Sequence, residues 1–221
     1  MKKISIAIDG PAGAGKSTIA KVLAKRIGCI YIDTGAMYRA VGLYCIQNNI
    51  DYYDEKAVNS VISELQIDIY AQDNQQAIYL NGRDISREIR TDEVAAAASK
   101  VATYKEVRTA LVRQQRQMQS EKSVVMDGRD IGTVVMPDAT LKVFLTASVV
   151  ERAKRRFEEY HNKGVNVTLE ELTQEIIERD YQDSNREISP LKKADDAVEI
   201  DTTLLGIDEI VDKIMSFIIE H

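Results

Sequence analysis

Lys3-Ile4-Ser5-Ile6-Ala7-Ile8-Asp9-Gly10-Pro11-Ala12-Gly13-Ala14-Gly15-Lys16-Ser17-Thr18 joins a short apolar run to a glycine-rich turn and then to a helical pattern that continues to Ile27. The Ile-rich run reads as a strand, and Gly10 to Ser17 fits G-x-x-x-x-G-K-[ST] with a strand before it and a helix after it, the context that a phosphate cradle requires. Without side chains in the way, the glycines let successive backbone N–H groups turn onto phosphate oxygens. The positive end of the helix beginning near Lys16 adds to that field, and the Lys16 ammonium can bridge the outer phosphates. Gly10, Pro11, Ala12, Gly13, Ala14, Gly15, Lys16, Ser17 and Thr18 are therefore the expected triphosphate-binding residues, with the Ser17 hydroxyl offered to Mg²⁺. The alternative is a turn that merely connects strand to helix. The motif serves kinases, GTPases and motor ATPases alike, so the use made of the triphosphate has to be read elsewhere.

Outward from this unit the rhythm repeats. Val124 to Met126 precedes a glycine-containing loop, Leu141 to Leu145 precedes a helical stretch from Val149 to Tyr160, and Ala197 to Ile200 precedes another from Ile207 to Ile219. Alternating strands and helices predict βαβ units on a parallel sheet with helices on both faces. Two segments interrupt it. Ile67 and Ile69 alternate with Asp68 and Tyr70, and after the polar turn Gln72-Asp73-Asn74-Gln75 comes Ala77 to Leu80, which predicts an antiparallel hairpin. Residues 152–190 carry two charged helical patterns joined at Asn162-Lys163-Gly164 and closed by Pro190. Lobes on either side of a sheet suggest closure over a ligand.

Composition narrows the field. Among 221 residues, 29 Lys and Arg face 35 Asp and Glu, a net charge of −6, which argues against a general nucleic-acid or membrane-surface binder. The longest apolar run, Ala40 to Ile46, is far short of the roughly 20 residues of a membrane span. Asp9 ends the first apolar run before it reaches the length of a secretory h-region, so a cytoplasmic protein is expected. Cys29 and Cys45 lie in apolar segments without metal-ligand spacing and read as buried reduced thiols. With only His161 and His221 available, the chemistry falls to Lys, Arg, Asp and backbone.

Further polar groups sit where a ligand is expected. Asp33-Thr34-Gly35-Ala36-Met37-Tyr38-Arg39 follows a short strand, Cys29 to Ile32; by spacing alone Thr34 reads first as an N-cap and Arg39 as solvated. Val124-Val125-Met126-Asp127-Gly128-Arg129-Asp130 sets two acids and an arginine past the carboxyl end of a strand, the rim where open α/β sheets bind ligands, and a carboxylate there can orient Mg²⁺ through water. An Asp-Gly turn with surface charges is the alternative. Arg179, Asp183 and Arg186 fall on one helical stripe, which by spacing alone is a solvated ladder; so are Arg152, Arg155 and Arg156. A reaction between two phosphate-bearing molecules nevertheless needs cationic clamps, and Arg152 is assigned to the triphosphate end.

Taken together, Gly10 to Thr18, the D-T-G-A-M-Y-R segment from Asp33, Ala98-Ser99-Lys100-Val101-Ala102, Asp127-Gly128-Arg129-Asp130-Ile131-Gly132-Thr133, Glu178-Arg179-Asp180 and Asn185-Arg186 resemble the bacterial cytidylate kinases along the whole chain. The resemblance implies a single α/β domain of the P-loop NTPase type: three layers around a parallel central sheet, with an inserted antiparallel lobe that binds the nucleoside monophosphate and a helical lid. Core (about 1–60, 103–150 and 191–221), insert (about 61–102) and lid (about 151–190) follow the interruptions above. It implies transfer of the γ-phosphoryl group of ATP to CMP or dCMP with Mg²⁺. It sets Thr34 near the acceptor nucleotide, Arg39, Arg129 and Arg186 on its phosphate, Ser99, Arg108 and Asp130 on the cytosine, and Arg179 with Asp183 on the sugar. Lys16, Asp127 and Arg129 are the expected catalytic residues. The partners are then small-molecule substrates, neither nucleic acid nor membrane, and a monomer is expected. Another P-loop small-molecule or nucleoside monophosphate kinase shares every phosphate-binding feature, and a nucleotide-dependent switch is a further alternative that lacks a guanine-reading N-K-x-D segment.

Overall fold

The computed structural model describes residues 3–72 and 75–219. Strand β1 (Ser5–Asp9) is buried along its whole length. It pairs in parallel with β6 (Val124–Gly128) on one side and β7 (Leu141–Thr146) on the other. β2 (Ile30–Asp33) and β8 (Val198–Asp201) complete a parallel sheet of order β2-β6-β1-β7-β8. Because strand side chains alternate in direction, Ile6 and Ile8 pack with Ile19 and Leu23 of α1 (Lys16–Ile27) and with Ile210, Val211 and Ile214 of α8 (Ile207–Ile219). Ala7, Ile32 and Met126 pack on a short π-helical turn, Ile131–Val135. Each large side chain so buried contributes about 1.5–3 kcal/mol. All five strands point their carboxyl ends to one rim, where the P-loop and Asp127 to Asp130 emerge.

The predicted hairpin is present and gains a strand. β3 (Ile67–Gln72) and β4 (Gln75–Leu80) pair antiparallel, with Ile67 opposite Leu80 and Ile69 opposite Ile78, and β5 (Arg83–Asp84) adds to the edge of β4. Asp73 and Asn74 of the predicted turn lie outside the described residues, as does His221. Ile67, Ile78 and Leu80 join a cluster with α2 (Thr34–Gln47), α3 (Glu55–Val61), α4 (Asp92–Val101) and α5 (Lys105–Glu121), so the antiparallel sheet shares its core with helices on both sides of it in sequence. Gly42 lets α4 lie against α2, since a Cβ there would stand 3.0 Å from both the Ala97 Cβ and the Ala98 nitrogen.

α6 (Val149–Asn162) and α7 (Leu169–Asn185) form the charged helical pair; the capping box between Thr168 and Glu171 starts α7 cleanly. One expectation about the thiols needs correction. Cys45 is buried, but Cys29 is half-buried, because it sits in the turn between α1 and β2 rather than inside a strand. Among the described residues no helix is long and apolar enough to cross a membrane.

Candidate active site

Helices α2, α3, α4, α6 and α7 are capped at their N-termini by a side chain, whereas α1 and α5 are not, and the N-cap of α1 is Gly15 at φ 82°. The first N–H groups of α1 are thus left for a ligand, and the macrodipole favours an anion there. The loop is fixed by Gly10, whose φ of 148° and close approach to the Leu145 carbonyl (2.1 Å from an added Cβ) admit no side chain. Lys16 is buried, with its ammonium donating to the Pro11 carbonyl at 2.7 Å. Burial first, and the nearby Arg129 charge second, push its pKa down to about 7.

Parallel pairing of β1 with β6 brings Asp127 to the same point. The Ser17 hydroxyl donates to one Asp127 carboxylate oxygen at 2.7 Å and the Tyr31 hydroxyl to the other at 2.8 Å. Burial and the neighbouring Asp33 raise the Asp127 pKa. The N-cap of α2 is Asp33, not Thr34: Asp33 accepts from the Ala36 N–H, while the buried Thr34 hydroxyl donates to the Asp127 carbonyl at 2.7 Å and ties α2 to β6. Asp33 also pairs with Arg39 at 2.6 Å.

The cleft encloses about 720 Å³, a size suited to small-molecule ligands. Its walls hold the P-loop from Ala12 to Thr18 together with Thr34, Arg39, Ser99, Arg108, Asp127, Arg129, Asp130, Arg179, Asp183 and Arg186. Arg108 and Asp130 form a buried ion pair, with Arg186 4.0 Å from the second Asp130 oxygen. Arg129 donates to Asp183 at 2.8 Å, and Arg186 lies 3.7 Å from the same carboxylate. Arg179, Asp183 and Arg186 are therefore no solvated ladder. Burial and Arg129 lower the Arg179 pKa to about 10, and the Nε of Arg108, the Nε of Arg179 and the Nη2 of Arg186 are buried without a hydrogen-bond partner. Three orphaned guanidinium donors in one cleft call for hydrogen-bond acceptors supplied by a ligand, since such groups cost about 1–3 kcal/mol each when unpaired.

Arg152 stands apart. Its guanidinium donates to the Ala12 and Ala147 carbonyls at 2.9 and 3.0 Å and pairs with Asp180 at 2.6 Å, bracing the P-loop from behind. The arginines of α6 that line the cleft are Arg155 and Arg156, which spacing alone assigned to solvent. Sequence reasoning also passed over Tyr31, Tyr38, which lies under the Arg108 guanidinium 5.5 Å from its ring centre, and Asp9. Asp9 had a signal: a carboxylate closing an Ile-Ala-Ile run must be paired if that strand is buried.

A family model for Cytidylate kinase matches residues 6–220. This chain belongs to that family. It is 53% identical over 215 residues to the cytidylate kinase of Lactobacillus johnsonii, covering 97% of this chain and 94% of that one, and 53% identical over 214 residues to that of Bacillus pumilus, covering 97% and 95%. Solved structures share the fold at low identity: an uncharacterized protein from Eubacterium ventriosum (TM-score 0.56, 16% identity, 100% of both chains) and a gluconokinase from Sinorhizobium meliloti (0.50, 16%, 99% and 94%). A shikimate kinase from Acinetobacter baumannii matches as well (0.50, 15%, 99% and 94%). Within the family, ATP is the phosphoryl donor and the acceptor is a nucleoside monophosphate.

Proposed function

We infer that the cleft transfers the γ-phosphoryl group of ATP to CMP or dCMP by direct in-line displacement. An oxygen of the acceptor phosphate attacks the γ-phosphorus, the bond from that phosphorus to the β–γ bridging oxygen breaks, and ADP leaves with its electron pair. The observation that carries this reading is the buried Arg108–Asp130 pair opposite the P-loop, with one Asp130 oxygen free of Arg108. Cytosine offers an amino donor beside ring-nitrogen and carbonyl acceptors. Asp130 can accept from the former while Arg108 and Ser99 donate to the latter. Uracil reverses the donor and acceptor at that edge and would leave buried groups unpaired.

Phosphoryl transfer asks the protein mainly for alignment and charge. Lys16 and the free N–H groups of α1 take the triphosphate, while Arg39, Arg129 and Arg186 take the acceptor phosphate and Arg179 with Asp183 the sugar. Two hard oxygen donors, Ser17 and Asp127, meet at the P-loop, and among the described residues no group of three acidic, Cys or His ligands exists. That fits Mg²⁺ held mostly by phosphate oxygens and water; when bound, it neutralises developing phosphate charge. Asp127 orients the Ser17 hydroxyl, and Arg152 holds the P-loop in register rather than touching nucleotide. The antiparallel lobe and the α6–α7 pair act as acceptor insert and lid, keeping water from the γ-phosphate. We expect a cytoplasmic monomer, its oligomeric state checked by light scattering.

The test is ADP production from Mg·ATP with CMP, dCMP, UMP, AMP, GMP or no acceptor. CMP and dCMP should be turned over far faster than the rest, and no stimulation by any nucleotide would reject the reading. Asp130→Ala should lose cytidine nucleotides selectively; an equal loss across acceptors would reject base reading by that residue.

A further inference from the structure

Asp130 occupies the N-cap position of the π turn Ile131–Val135, yet its side chain caps nothing there. An aspartate in that place ordinarily folds its carboxylate back onto the free N–H groups of its own turn. Here the first two of those groups are already taken. The Ile131 N–H donates to Asp9 Oδ1 at 2.8 Å and the Gly132 N–H to Asp9 Oδ2 at 2.7 Å. Asp9 reaches them from the end of β1, more than 120 positions away in sequence. The main-chain carbonyl of Asp130 accepts from Val134 at 2.9 Å, so the turn anchors the backbone of Asp130 while Asp9 satisfies the N–H groups its side chain would otherwise seek.

We propose that Asp9 is a positioning residue for acceptor recognition: by capping Ile131 and Gly132 from the neighbouring strand, it leaves the Asp130 carboxylate to Arg108 and the acceptor base. Without Asp9, the freed Gly132 N–H would compete for the side chain of Asp130, the N-cap residue of its own turn, and draw it out of the cleft. This rests on the reading of Asp130 as a base reader. Asp9 is not among the residues that line the cleft, and since it immediately precedes Gly10, an effect through the P-loop is the competing outcome.

The experiment compares kcat and KM for CMP, UMP and ATP in Asp9→Ala, Asp9→Asn, Asp130→Ala and the Asp9→Ala/Asp130→Ala double variant. Asp9→Ala should raise the CMP KM by about 10- to 100-fold, the scale of losing hydrogen bonds to a charged group. It should also lower the CMP-to-UMP preference and leave the ATP KM within about twofold, with Asp9→Asn in between because one oxygen still accepts. In the double variant the preference should match that of Asp130→Ala alone. A raised ATP KM with the preference intact, or additive losses in the double variant, overturns the proposal. If Asp130→Ala keeps the preference, the base-reader assignment itself falls. That result differs from loss of preference in Asp130→Ala but not in Asp9→Ala, which sinks the role of Asp9 alone. Where Asp9→Ala does not fold, Asp9→Asn carries the same comparison.

Discussion

Lys16 is a buried cation whose hydrogen bond is to a carbonyl, and its pKa of about 7 means that the free protein gives up this proton just above neutrality. A triphosphate restores the charge, so binding above pH 7 takes up a proton. The affinity for a non-hydrolysable ATP analogue should fall as pH rises from 7 to 9, by up to about tenfold per unit. Calorimetry across that range checks it, with Lys16→Ala as the control: the slope should vanish and turnover should drop by at least about 100-fold at nearly unchanged melting temperature. Asp9 titrates in the opposite sense. Burial outweighs its two N–H bonds and raises its pKa from 3.8 to about 6, so the folded protein holds this proton more tightly than the unfolded chain does. The associated stability is full below about pH 4 and lost as pH rises through 6. Relative to Asp9→Asn, the parent protein should lose about 2 kcal/mol between pH 4 and 7 in urea titrations; a flat difference would contradict it.

Among elements, the proposed acceptor site draws on the contact of α2 with α4, because α2 carries Thr34 and Arg39 while α4 carries Ser99. Gly42 sets their separation. Gly42→Ala should cost about 1–2 kcal/mol, the overpacking of a backbone contact outweighing the gain in helix propensity. It should also raise the KM for CMP more than that for ATP, since the displaced helix belongs to the acceptor side. Thermal melts and paired KM measurements decide it; equal shifts in both KM values would show that α4 does not set the acceptor site.

Across the whole molecule, the helical pair α6–α7 meets the acceptor-side helix α4 through an exposed polar link. The Tyr160 hydroxyl on α6 donates to Asp92 on α4 at 2.6 Å, while Arg156 ties Tyr160 to Glu175 within the pair. Such a link favours the closed arrangement, and one exposed hydrogen bond is worth about 1 kcal/mol. Tyr160→Phe should therefore raise the KM of both substrates about fivefold with kcat unchanged or increased, as steady-state kinetics with each substrate varied in turn will show. An unchanged KM would mean that closure does not depend on this link.

The sequence by itself determined the parallel sheet, the hairpin, the P-loop and the chemical type of every group in the cleft, because alternation, glycine placement and the strand–loop–helix order are local properties that each segment carries alone. Only the tertiary structure decided which arginines face ligand. Arg152, Arg155 and Arg156 lie within one helical turn and a half, and spacing cannot tell that the first is buried under the P-loop while the others line the cleft. The same holds for Thr34, a plausible cap by its position, whose hydroxyl instead bonds to a strand that follows about 90 residues later. Asp9 is the clearest case. Its neighbours in sequence mark it only as the end of an apolar strand, and its partners, Ile131 and Gly132, become adjacent only when β1 and β6 pair in register. A side chain's type is written in the sequence. What it faces depends on contacts between segments far apart in the chain, and those exist only once the sheet has closed around them.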